Sequence, residues 1–143
     1  MYFIRDILNK KVKHREPFRP FAPAVLFEFK DEYFQLLSDS PYMLLAAPVK
    51  EEKRHLIPAV IHVDGRARVQ TVKKEDAPDF YGLIDEFREI SGIPMVLNTS
   101  FNDKGEPIVC SPWDAYLCFM NTQIDYLVLG DFLIAKEAEA KCI

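Results

Sequence analysis

Two short polar stretches and a pair of arginines carry the side chains best equipped for chemistry. The first stretch, Lys10-Lys11-Val12-Lys13-His14-Arg15-Glu16-Pro17-Phe18-Arg19, holds five basic residues and one acid, in a chain whose formal net charge is −4. A basic cluster on an acidic chain reads as a local anion site rather than a general polyelectrolyte surface. A solvated charged face is the plain alternative. In an extended stretch, alternation would set Lys13, Arg15 and Arg19 toward one side. One lysine point charge beside planar guanidinium forks suits a polyphosphate.

The second stretch, Asn98-Thr99-Ser100-Phe101-Asn102, follows the apolar run Pro94-Met95-Val96-Leu97. In open α/β sheets ligands gather where strands run out into loops that expose backbone N–H groups and short polar side chains. A turn that merely reverses the chain accounts for the same residue types. The arginines are Arg66 and Arg68, which follow Asp64-Gly65. Asp-Gly between the apolar runs 57–63 and 66–72 predicts a two-residue hairpin, with Val63 opposite Arg66 and Ile61 opposite Arg68. Both arginines then project from one face and His62 from the other, so Arg66 and Arg68 are the expected ligand contacts and His62 a structural residue. The chain lacks a G-x-x-x-x-G-K-[ST] phosphate loop, G-x-G-x-x-G, H-E-x-x-H and G-x-S-x-G. Cys110 and Cys118 read as small core residues, and Trp113 as packing or an interface anchor.

These groups need a scaffold, and 143 residues with 49% hydrophobic content suffice for one domain spanning 1–143 with its own core. No apolar run approaches a membrane span, and the charged start lacks a signal peptide's apolar region, so a soluble cytoplasmic protein is expected. The spacing of the three cysteines argues against a disulfide framework or a structural zinc site. The pattern predicts a helix over 1–11, an extended path through Pro17, Pro20 and Pro23, and a strand over 24–29. It continues with a helix over 33–37, an apolar strand within 42–49 and the hairpin. Phe80, Leu83, Ile84, Phe87 and Ile90 give the clearest amphipathic helix, ended by Gly92. A strand over 94–98, a helix opened by Ser111, Pro112 and Asp114, and a tight strand pair around Gly130-Asp131 complete the chain. The class is α/β or α+β around one sheet.

Several blocks resemble the C-terminal domain of the O-carbamoyltransferases of antibiotic and nodulation-factor biosynthesis. They are Val12-Lys13-His14-Arg15-Glu16-Pro17-Phe18-Arg19-Pro20-Phe21-Ala22-Pro23-Ala24-Val25, His62-Val63-Asp64-Gly65 with Ala67-Arg68-Val69-Gln70-Thr71-Val72, and Leu97-Asn98-Thr99-Ser100-Phe101-Asn102 with Gly105-Glu106-Pro107-Ile108-Val109. Leu127-Val128-Leu129-Gly130-Asp131-Phe132 is a fourth, weaker block. The resemblance implies a YrdC-like fold, a twisted open mixed sheet with flanking helices. It also implies an activity: ATP and carbamoyl phosphate combine to carbamoyl-adenylate, which a separate N-terminal domain of actin-like ATPase fold with an iron site uses to carbamoylate an acceptor hydroxyl. The superfamily's K-x-R … S-x-N signature is matched by Lys13-His14-Arg15 and Ser100-Phe101-Asn102. Phosphate and carbamoyl contacts carry over onto Lys13, Arg15, Arg19, Arg68 and Ser100, and further onto Asn98 and Asn102.

Together the two readings assign catalysis to Lys13, Arg19, Arg68 and Ser100, with Arg15, Arg66, Asn98 and Asn102 as additional binding residues. Adenylation needs positive groups around the phosphoryl oxygens and no protein nucleophile. Magnesium is expected to arrive with ATP, held by the phosphates and by no protein metal site. The family's upstream G-P-R-A-L-G-x-R-S-like stretch and its transfer domain do not precede Met1, so an excised domain, a split subunit or a truncated product is expected. A homodimer through Tyr2, Phe3 and Ile4 is a further expectation. The rivals are a tRNA-binding module, which the −4 charge disfavours, and a non-catalytic interaction domain.

Overall fold

The computed structural model describes residues 4–136, which divide into two compact units: 19–99, and 4–18 together with 100–136. The fold is α+β, with one mixed four-stranded sheet, a separate two-stranded sheet, and helices.

In the unit 19–99 the strands are β1 (Ala22–Leu26), β2 (Leu45–Pro48), β3 (Arg66–Val72) and β4 (Met95–Asn98), in the order β2-β3-β1-β4. β1 runs parallel to β3, and the other two pairings are antiparallel. Every residue of β1 is buried, which explains its unbroken small and apolar sequence at the sheet centre. One sheet face packs Val25, Val69 and Met95 against Tyr33, Phe34 and Val60. The opposite face packs Ala24, Leu26, Val72 and Val96 against Phe80 and Ile84 of helix α3 (Pro78–Ser91). Alternation along β3 and β4 places Arg66, Arg68, Gln70 and Asn98 on that second face, beyond the end that α3 covers.

Several expectations are corrected in this unit. The hairpin over 57–72 does not form: Pro58 opens a 3-10 turn, Pro58–Val60, and β3 takes its partners from β1 and β2 instead. A local reversal survives at 62–66, where His62 N–H donates to Arg66 O at 2.8 Å and Gly65 N–H donates to His62 O at 3.0 Å. The loop thus has three residues, Val63 to Gly65, with Gly65 at φ +78, the arrangement of a turn followed by a left-handed glycine. His62, not Val63, therefore stands opposite Arg66, and Arg68 pairs with Ala46. Arg66 and Arg68 still share a face, because Ala67 and Val69 between and beyond them are fully buried. The expected strand over 24–29 ends at Leu26 and passes through a 3-10 turn, Phe27–Phe29. Helix α2 is Lys30–Tyr33 rather than 33–37, and Phe34 bridges to Val49. On α3 the apolar stripe is only half used: Ile84 is buried, while Leu83, Phe87 and Ile90 are exposed. Gly92 ends α3 at φ +75 as anticipated, its N–H donating to Arg88 O.

In the other unit, helix α1 (Ile4–Lys11) precedes the basic segment. Helix α4 (Pro112–Asn121) begins with the expected capping box: Ser111 Oγ accepts from Asp114 N–H, and Asp114 accepts from Ser111 N–H. Strands β5 (Tyr126–Leu129) and β6 (Phe132–Ala135) pair around Gly130-Asp131 as expected, but as a sheet of their own rather than part of a single one. Ala115 and Phe119 of α4 pack on Leu127, joined by Phe101, Val109 and Ile134. Cys118 is buried as expected, whereas Cys110 is exposed. Trp113 is exposed and stacks on Tyr116 at 5.5 Å between ring centroids. Tyr2, Phe3 and Cys142 lie outside the described residues. Among the described residues no helix is long and apolar enough to cross a membrane.

Candidate functional site

The two halves of the K-x-R … S-x-N pattern meet within the smaller unit. Phe101 inserts into that unit's core, which anchors the loop at its middle and leaves Ser100 and Asn102 on either side. Lys13, only 6% exposed, reaches this loop: its Nζ donates to Asn102 O (2.6 Å), Asn102 Oδ1 (2.8 Å), Ser100 O (2.9 Å) and Ser100 Oγ (3.5 Å). The loop is further tied by Ser100 Oγ to Asn102 Oδ1 (2.6 Å) and by Asn102 Nδ2 to Glu106 O (2.8 Å). All four partners of the ammonium are neutral oxygens. Burial pushes Lys13 below the ordinary lysine value of 10.5, and the charge of Arg15 acts in the same direction. An ammonium in this state favours an incoming anion, which would restore the lost charge compensation.

The segment around Lys13 is not extended, so alternation does not set its side chains. The last turn of α1 widens, with Lys13 N–H donating to Leu8 O at 2.9 Å, and His14 takes the left-handed conformation at φ +44. Lys13 is thereby directed to the loop, while Arg15 turns to α1. Asn9, completely buried, accepts from Arg15 Nε at 2.7 Å, and its backbone carbonyl accepts from Arg15 N–H at 3.0 Å. Asn9 Nδ2 also donates to Pro17 O. His14 Nδ1 lies 2.8 Å from Asp103 Oδ1, and this bond is the main cause holding the Asp103 carboxyl below its usual range. Asp6, Asn9, Lys10, Lys11, His14 and Arg15 line an open cleft of about 730 Å³.

The unit 19–99 carries a different kind of cationic surface. Arg66 and Arg68 are exposed on the uncovered end of the sheet face, and among the described residues neither guanidinium takes a hydrogen bond or ion pair. On the same face Gln70 Nε2 donates to Pro41 O (3.1 Å), and Asn98 Nδ2 donates to Gln70 Oε1 (2.6 Å). Arg19 is exposed in the segment that leads into β1. Of the sequence-derived set, the structure thus groups Lys13, Ser100 and Asn102 in one unit, with Arg15 in the same unit bonded back to Asn9 of α1. It groups Arg66, Arg68 and Asn98 in the other.

Asn9, Asp103 and Gln70 were not singled out from the sequence. Asn9 had one signal, an amide in mid-helix where it is a poor helix former. Gln70 had another, its place in the alternation of Arg66 and Arg68. Both described cysteines are held toward the thiol form: a bond to Asp114 pushes the Cys110 thiol up, and burial does the same at Cys118. Among the described residues no three His, Cys, Asp or Glu side chains gather as a metal site.

The chain is similar to an uncharacterized protein of Synechocystis sp., 45% identical over 95% of this chain and 25% of that protein. It is also similar to nodulation protein NolNO of Sinorhizobium fredii, 47% identical over 92% of this chain and 20% of the relative. A third relative is the 3'-hydroxymethylcephem-O-carbamoyltransferase of Amycolatopsis lactamdurans, 37% identical over 89% of this chain and 24% of its own length. The chain spans about a quarter or less of these curated relatives. The family model described as "Carbamoyltransferase C-terminus" matches residues 2–136, nearly the whole sequence, and the chain belongs to that carbamoyltransferase family.

Proposed function

We propose that this domain binds ATP and carbamoyl phosphate and forms carbamoyl-adenylate, which another domain passes to an acceptor hydroxyl. The observation that carries the reading is the buried Lys13 ammonium, bonded only to neutral oxygens of the Ser100–Asn102 loop and held below its ordinary pKa. Carbamoyl phosphate gives up its phosphate to water, leaving carbamate. A carbamate oxygen then attacks the α-phosphorus of ATP, the α–β phosphoanhydride bond breaks, and pyrophosphate leaves. Lys13 and the Arg15 fork offset charge on the nucleotide phosphates, with Ser100 and Asn102 holding Lys13 in place. Arg68, assisted by Arg66, takes the oxygens of carbamoyl phosphate, and Arg19 adds a further cation. Magnesium arrives with ATP as part of the substrate. An acceptor hydroxyl is the class that the name of the cephem relative indicates, and the transfer domain belongs to the part of the relatives that this chain does not span.

The test is release of pyrophosphate from ATP with and without carbamoyl phosphate, alongside thermal shifts with ATP and AMP. Release that depends on carbamoyl phosphate, with ATP stabilising more than AMP, supports the reading. Equal shifts with the two nucleotides and no binding of carbamoyl phosphate overturn it.

A further inference from the structure

The polar end of the sheet face in 19–99 contains a chain of amides whose direction is fixed by its first member. Pro41 presents a backbone carbonyl, which can only accept. Its position is held because Ser40 is tied twice to Thr71 on β3: Thr71 N–H donates to Ser40 O (3.0 Å), and Ser40 N–H donates to Thr71 Oγ1 (3.0 Å). The Gln70 group facing Pro41 O at 3.1 Å must therefore be the NH2. Gln70 Oε1 then faces Asn98, and the atom 2.6 Å away must be Asn98 Nδ2, because two carbonyl oxygens at that separation would repel. The remaining end of the Asn98 amide is Oδ1, an acceptor, and among the described residues it takes no partner. The face thus presents two opposite kinds of group: the Arg66 and Arg68 guanidinium donors, and one carbonyl acceptor at the tip of β4.

An acceptor is badly placed for phosphate oxygens and well placed for an N–H. Carbamoyl phosphate carries both requirements in one small molecule, an anionic phosphate and a neutral NH2. Resting on the carbamoyl-phosphate reading above, we propose that Gln70 is a positioning residue that turns the Asn98 amide so that Oδ1 accepts a hydrogen bond from the carbamoyl NH2. The site would then distinguish a carbamoyl from an acetyl group, which differ in NH2 against CH3 and little in size. A pocket that offers a hydrogen bond to one ligand leaves a polar group unpaired against its analogue, the stronger form of discrimination.

The experiment compares two stable analogues in which a methylene replaces the bridging oxygen, phosphonoacetamide and acetonylphosphonate, by calorimetric titration of the full chain. The wild type is expected to bind the amide at least about tenfold more tightly than the methyl ketone, one hydrogen bond's worth. Asn98→Ala and Gln70→Met should bring that ratio close to one. Gln70→Glu sets a carboxylate oxygen against Pro41 O, breaks the first link of the relay, and should lower the ratio as Gln70→Met does. A structural role for Gln70 alone would lower the melting temperature and leave the ratio intact, and that result overturns the proposal. Equal wild-type affinity for the two analogues also overturns it while the carbamoyl-phosphate reading stands. Binding of neither analogue refutes that reading and this one with it.

Discussion

The two units carry cations of the same sign in opposite circumstances. Lys13 is buried, shares four oxygens with its loop and is as much a structural strut as a ligand group. Arg66 and Arg68 stand on an open sheet face, on a stretch of β3 paired with β2, and their guanidinium groups hold nothing else in place among the described residues. The contrast teaches that charge alone does not tell what a substitution will do. A buried ammonium couples binding to folding, whereas an exposed guanidinium leaves the two separable.

The sharpest way to break the contrast is to remove each charge in turn. Lys13→Met keeps the length of the side chain but leaves the Ser100 and Asn102 oxygens without their donor. The expected loss is about 3 kcal/mol of stability, read as a lower denaturant midpoint, together with faster amide exchange around Ser100 and loss of the ATP-induced thermal shift. Unchanged stability would mean that Lys13 is no strut. Arg68→Ala should leave stability within about 0.5 kcal/mol and weaken carbamoyl-phosphate binding by about 1.5–3 kcal/mol, the range for a hydrogen bond to a charged group. A large fall in melting temperature for Arg68→Ala would erase the distinction between the units.

Titration separates the charge of Lys13 from its hydrogen bonds, since a neutral amine still donates to the loop oxygens. The folded-state pKa of Lys13 is lowered, so on raising the pH it loses its proton in the folded protein before the unfolded chain does. Across that window, below the ordinary lysine value of 10.5, folding stability contributed by this group rises with pH while affinity for a polyphosphate falls. ATP binding should accordingly take up protons there, measurable as a buffer-dependent binding enthalpy. Carbamoyl-phosphate binding through Arg68 should show no such dependence, because a guanidinium keeps its charge throughout.

What the sequence disclosed, and what it did not, follows the same division. The capping box at Ser111 and Asp114, the Gly92 helix end and the Tyr126–Leu129 and Phe132–Ala135 pair are local and were readable, because their bonds lie within a few residues. The partners of Arg66–Val72 are not local: β1 lies more than forty residues upstream, and parallel pairing leaves no turn signal to find. Alternation alone still identified the shared face of Arg66 and Arg68, since it holds whichever strand is the neighbour. Alternation failed at Lys13 and Arg15, where His14 in a left-handed conformation breaks the extended path that the prolines suggested. The Asn98–Gln70–Pro41 relay spans three separate segments, so no spacing in the sequence announces it.

The smallest effects lie in the two left-handed turns that aim these cations, one at Gly65 and one at His14. Gly65→Ala forces a side chain into φ +78, and its Cβ would come within 2.8 Å of the Arg54 guanidinium, a flexible group able to move aside. The backbone strain remains, at about 1–2 kcal/mol, and should show as a lower melting temperature with Arg68 binding little changed. At His14 the strain is already present at φ +44, so His14→Gly releases some of it. Against that gain stand the lost contact with Asp103, worth about 0.2–1 kcal/mol for an exposed pair, and the added freedom of glycine in the unfolded chain, about 0.4–1 kcal/mol. The three terms nearly cancel, and His14→Gly should lie within about 0.5 kcal/mol of wild type at neutral pH. The sign changes in acid. Asp103 has a lowered folded-state pKa, so its contribution is present above the ordinary value of 3.8 and is lost as the pH falls through the lower, folded value. With that contribution gone in wild type, only the freedom of glycine in the unfolded chain still offsets the released strain, and urea unfolding at acid pH should find His14→Gly equal to wild type or slightly more stable. A variant much weaker than wild type at both pH values would show that His14 holds Lys13 in register by more than its bond to Asp103.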